Sequence, residues 1–123
     1  MIAVDFADSA SLEALLRASV LFKFECPQES HMFAGSPAYA EGVNRLLAAI
    51  ISEHRQSGRE AIANSWATTY LLANHPERLA FVKNYAQGLG KWASLDMSQR
   101  RDWVDVVAAP YKIREEEYEG LVN

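Results

Sequence analysis

The sequence predicts a mainly α fold: five or six helices in one small domain, as a bundle or in orthogonal packing. Three observations carry this. Ser36–Gly58 holds a long apolar stripe at helical spacing between clear start and stop signals. The pairs His75-Pro76 and Ser36-Pro37 both mark helix starts, because proline at the first helical position sacrifices no hydrogen bond. No stretch beyond the N-terminal 26 residues alternates as a strand would.

Taken in order, Ile2, Val4 and Phe6 alternate with Ala3 and Asp5, the pattern of a short strand or an ordered extended arm. Asp8 or Ser9 can cap a first helix, about 9–20, whose Leu12, Leu15, Leu16 and Ser19 share a face. From Val20 the period shortens. Phe22, Phe24 and Cys26 alternate with Lys23 and Glu25, leaving 20–26 open between a helix end and a strand. If both N-terminal pieces are strands, they form a short two-stranded sheet leaning on the helices. Residues 26–35 hold Pro27 and Gly35 without periodicity and are expected to form a loop.

The helix after Ser36 places Tyr39, Val43, Leu46, Leu47, Ile50, Ile51 and His54 on one face, with Gly42 as its one poor helix former. Gly58 suits its C-terminal cap. A third helix follows at once, with Ile62, Trp66, Thr69, Tyr70 and Ala73 on one side, so the two form a helical hairpin. The fourth starts near Pro76. Leu79, Val82, Ala86 and Leu89 make one stripe and Phe81, Tyr85 and Trp92 another. Gly88 and Gly90 end it. Asp96 or Ser98 opens a fifth helix with Trp103, Val106 and Val107 inward, which Pro110 interrupts before a short helix within 111–119.

The formal charge of −4 is unevenly placed: residues 115–123 hold four acids and no base, and the first 114 residues hold 12 acids and 12 bases. Residues 111–123 are therefore an acidic C-terminal segment of a domain spanning 1–123. With no basic cluster, nucleic-acid binding is not expected. Neither is a membrane span, which takes about 20 apolar residues. The first residues lack a signal peptide's basic start, and Cys26 is the only cysteine, so a cytosolic protein is expected.

Catalytic signals are weak. Cys26 and His31 lie near each other, but nothing around them supplies the orienting group a thiolate nucleophile needs. His31, His54 and His75 are scattered, without the i, i+3 or i, i+4 spacing of a helical metal site, so no metal is expected. Gly88-Leu89-Gly90 is a fragment of a dinucleotide fingerprint with no strand before it, and no cofactor is expected. Asp5 and Asp8 are a carboxylate pair by sequence alone.

Binding signals are stronger. Glu115, Glu116, Glu117, Tyr118 and Glu119 form an acidic patch with an aromatic inside it, suited to a basic protein partner. The expected function is non-catalytic binding of another protein, in one version as an inhibitor or immunity-type antidote covering the basic site of a toxin or nuclease. The alternatives are a homodimeric helical scaffold using Phe81, Tyr85 and Trp92, and a small enzyme whose site residues converge from distant helices.

Overall fold

The computed structural model describes residues 2–123. Among these, seven α-helices follow one another: α1 (Ser9–Glu25), α2 (Pro27–Ala34), α3 (Pro37–Gln56), α4 (Glu60–Thr69), α5 (Pro76–Gln87), α6 (Met97–Ala108) and α7 (Tyr118–Val122). Single 3₁₀ turns at Leu72–Asn74, Trp92–Ser94 and Glu115–Glu117 link the later helices. No described helix is long and apolar enough to cross a membrane.

The helix starts follow local chemistry. The Asp8 carboxylate accepts from the Ser11 amide at 3.0 Å, and the Ser36 hydroxyl accepts from Tyr39 at 3.2 Å. Asp96 and Gln99 form a reciprocal capping box at the start of α6. At the turn between α3 and α4, Gly58 takes φ of +76°, the left-handed conformation that a Cβ would penalise.

Three expectations are corrected. First, no two-stranded sheet forms among the described residues: residues 2–6 are an exposed arm without regular secondary structure, and 20–25 complete α1. The alternation in 20–26 comes from a helix end buried on several sides. Val20 and Phe24 face the core, Phe22 meets Phe33 of α2, and Lys23 turns toward α6. The nearest thing to a ladder is one parallel bridge between Leu71 and Lys112, where the Leu72 amide donates to the Lys112 carbonyl at 3.0 Å. Second, 26–35 is not a loop. Pro27 is the first residue of α2, where a missing N–H costs nothing, so it begins a helix rather than breaking one. Third, seven helices replace the expected five or six, because α2 went unrecognised; the short helix expected within 111–119 lies later, at Tyr118–Val122, after the 3₁₀ turn at Glu115–Glu117.

One apolar cluster fills the interior. α1 supplies Leu16, Val20 and Phe24; α3 supplies Val43, Leu47 and Ile50; α5 and α6 supply Val82, Ala86, Val104 and Val107. Leu121 and Val122 of α7 also enter it. Their carbonyls are held as well: Gln87 Nε2 donates to Leu121 at 3.2 Å and Arg100 Nη1 to Val122 at 2.9 Å. The acidic segment therefore ends in a docked apolar turn.

Gly35, at the end of α2, lies against the Trp103 ring of α6. A Cβ there would lie 2.6 Å from Trp103 Cη2 and 3.3 Å from the Tyr85 hydroxyl. The Trp103 ring is held by its Nε1–H, which donates to the Ala86 carbonyl at 3.1 Å. Gly35→Ala is thus expected to destabilise the fold by about 1–3 kcal/mol, the usual cost of overpacking. Gly42 has open space where its Cβ would stand, and Gly42→Ala should stabilise by about 0.5–1 kcal/mol. Urea denaturation of the two variants checks both signs.

Candidate binding site

The polar residues singled out from the sequence are dispersed. Cys26 is exposed at the junction of α1 and α2. His31 lies within α2, its ring 5.6 Å from that of Tyr85 and its carbonyl accepting from the Tyr85 hydroxyl at 2.7 Å. His75 precedes α5; its Nε2 bonds the Thr69 carbonyl and its ring meets Tyr111 edge-on. Asp8 caps α1, while Asp5 stands on the N-terminal arm. No group of three or more His, Cys, Asp or Glu side chains converges among the described residues.

His54 is buried, and its two ring nitrogens are both engaged with side chains. Arg59 Nε donates to Nδ1 at 2.9 Å, and Nε2 lies 3.0 Å from Glu13 Oε1. A guanidinium can only donate, so Nδ1 accepts and Nε2 carries the proton that faces the carboxylate. With neither nitrogen free to act as a base or ligand, the imidazole braces the end of α3 against α1 and the start of α4.

The acidic segment divides in two. Glu115 is held by a two-pronged bond from Arg101 at 2.9 and 2.6 Å, and the Glu117 carboxylate accepts from the Arg114 amide at 2.7 Å. Arg101 also lies 4.0 Å from the centre of the Tyr118 ring. The Tyr118 hydroxyl donates to Asp105 at 2.6 Å. Burial, then the Asp105 carboxylate, pushes that hydroxyl up to about 12. Glu116 and Glu119 remain exposed, without an ion pair among the described residues.

The second stripe of α5 packs within the chain on several sides. Phe81 meets Phe24 edge-on at 5.0 Å and lies parallel to Tyr85 at 5.8 Å; Tyr85 in turn meets Trp103. Trp92 lies on a 3₁₀ turn beyond the helix, beneath the Arg100 guanidinium at 4.7 Å. All three rings are half-buried.

A wide concave surface lies elsewhere. A cleft of about 770 Å³ runs between α1 and α3, with the N-terminal arm along it. Leu12, Leu15, Tyr39, Val43 and Leu46 line it together with Phe6 of the arm. Ile2 is 91% exposed, Val4 71% and Leu15 47%. The sequence showed each apolar residue but not their convergence, because the arm and α3 are some 35 residues apart.

Lys23 is the residue the sequence pattern hid most completely. Set at a polar position in an alternating run, it is 1% exposed. Its Nζ donates to the carbonyls of Val106 at 3.1 Å and Ala109 at 2.7 Å, at the C-terminal end of α6. Phe24 and Tyr39 rings flank it at 5.3 and 6.0 Å. Burial pushes the ammonium down from 10.5 to about 7.

The chain matches no protein-family model, no curated protein and no solved structure with which it was compared. Its class is given by architecture: an all-α fold with an apolar cleft along its first and third helices.

The buried lysine predicts a pH dependence with a definite sign. Below about pH 7 the folded and unfolded states both carry the ammonium, and its desolvation cost is fully present. Between about 7 and 10 the folded state releases a proton that the unfolded chain keeps, so stability rises with pH, by up to about 1.4 kcal/mol per unit. Above 10 the trend reverses, because burial raises Tyr39, Tyr70, Tyr111 and Tyr118 in the fold. Lys23→Met should flatten the rise in urea titrations between pH 7 and 10. A variant that keeps the slope would remove Lys23 as its source.

Proposed function

We propose that this is a small cytosolic, non-catalytic protein that acts by binding another protein in the cleft between α1 and α3. The observation that carries the reading is the exposed apolar lining of that cleft. Full burial of such a side chain is worth about 1.5–3 kcal/mol; Ile2 and Val4 forgo most of that by standing in water and the half-exposed Leu15 roughly half, a gain available to any partner that covers them. Two roughly side-by-side helices with an open furrow suit an amphipathic segment of the partner, laid with its apolar face inward.

A second reading has its own observation. Glu116 and Glu119 are exposed and without an ion pair among the described residues, whereas Glu115 is committed to Arg101. An inhibitor or immunity-type role would use these two acids against the basic site of a toxin or nuclease. Charge reversal at Glu116 and Glu119 is then the informative change, because reversal at Glu115 also breaks a contact within the fold.

The test is capture of partners from lysate by the intact protein, beside Leu15→Glu and the double variant Glu116→Lys/Glu119→Lys. The cleft reading expects one stoichiometric partner that survives high salt, is kept by the double variant and falls at least tenfold with Leu15→Glu. A partner lost at high salt and with the double variant instead assigns the acidic segment. Capture of nothing by the wild-type protein overturns both.

A further inference from the structure

On another side of α1, Arg17 reaches over α4. Its guanidinium carbon lies 5.1 Å from the centre of the Trp66 ring, and Trp66 lies parallel to Tyr70, with centroids 6.0 Å apart and 6° between the planes. Together with Ser65 and Thr69 these residues line a cleft of about 360 Å³. The chemistry of that lining is one-sided. It contains no carboxylate, and Arg17 forms no ion pair among the described residues.

The donors there are also unspent. Neither the Trp66 indole N–H, nor the Tyr70 hydroxyl, nor the Ser65 hydroxyl is hydrogen-bonded to another described residue. Yet no enclosed side-chain nitrogen or oxygen lacks a partner, so the Trp66 and Tyr70 donors reach solvent, and Ser65 is itself exposed. Two guanidinium groups stand near the Tyr70 hydroxyl. Burial and then Tyr111 raise that hydroxyl, and Arg17 and Arg78 act against the rise. Arg78 is already paired with Glu25 at 3.0 Å, which leaves Arg17 as the free charge.

A planar guanidinium presents a fork matched to a carboxylate or phosphate, and contact with the indole face holds it beside the cleft. We propose that this cleft binds a small planar ligand bearing an oxyanion, carboxylate or phosphate. Arg17 takes the oxyanion with help from the Ser65 and Tyr70 hydroxyls, and the Trp66–Tyr70 pair receives the flat remainder. The site stands apart from the α1–α3 cleft and from the partner proposed for it.

The experiment is an NMR titration of the full chain, following the indole N–H of Trp66, assigned through Trp66→Phe. The probes are benzoate, phenyl phosphate and the neutral benzamide. Saturable shifts at Trp66 with an anionic probe, absent with benzamide, are expected; the tighter of the two anions identifies the oxyanion. Arg17→Gln should weaken binding roughly tenfold, the usual loss for a bond to a charged group, while Arg45→Gln leaves it unchanged. Arg17 is exposed, so its replacement leaves the fold intact for comparison. Linear, non-saturating shifts, equal binding of benzamide, or full affinity in Arg17→Gln would overturn the proposal.

Discussion

The ammonium of Lys23 is the constraint around which the two halves of the chain are arranged. It comes from α1 and ends on the carbonyls of Val106 and Ala109, 83 and 86 residues further along. Val106 lies in the last turn of α6 and Ala109 caps it, where backbone acceptors have no partner inside the helix and the macrodipole is negative. The lysine supplies what that terminus lacks. Its own burial is costly, and the carbonyls with the Phe24 and Tyr39 rings compensate in part. Because an ammonium has little freedom once its acceptors are fixed, α1 is set in both rotation and height. Val20 and Phe24 then face the core, and Phe24 meets Phe81 and Tyr111.

The same residue anchors α2. The Ser30 hydroxyl, fully buried, donates to the Lys23 carbonyl at 2.9 Å, so the short helix hangs from the residue that ties α1 to α6. Gly35 then lets α2 close onto Trp103 and Tyr85. This chain of contacts covers much of the aromatic stripe on α5. An apolar arc that looks free in a helical projection is occupied here by a helix of only eight residues, too weakly patterned to be recognised.

What was legible in the sequence was whatever local chemistry alone decides. Ser36, Asp96 and Gly58 act through their own side chains or backbone on neighbours a few residues away, and each stands where expected. Misreadings fell where tertiary contacts decide. Pro27 has two opposite local meanings, and the packing of Ser30 and Ala34 selects the helical one. Val104 and Ala63, not only the larger residues beside them, turned out to be fully buried, because small side chains admit close helix packing. Leu121 and Val122 were overshadowed by the acids before them. The candidate surfaces were less legible still: the cleft joins the arm, α1 and α3, and Arg17 meets Trp66 across 49 positions.

These surfaces follow from how α1 is spent. A surface helix commonly has one apolar face and one polar face. α1 instead gives Leu16, Val20 and Phe24 to the core, Lys23 to α6, Glu13 to His54, Arg17 to Trp66, and leaves Leu15 in the α1–α3 cleft. A helix with so many separate obligations cannot show a clean stripe, which is why its second half resembled a strand. It also follows that the outer positions are separable from the fold. Leu15 and Arg17 are exposed, whereas Leu16 between them is enclosed, as is Lys23 further along the helix. The interior therefore fixes where α1 lies, and the residues between the anchors are free to set what the protein binds.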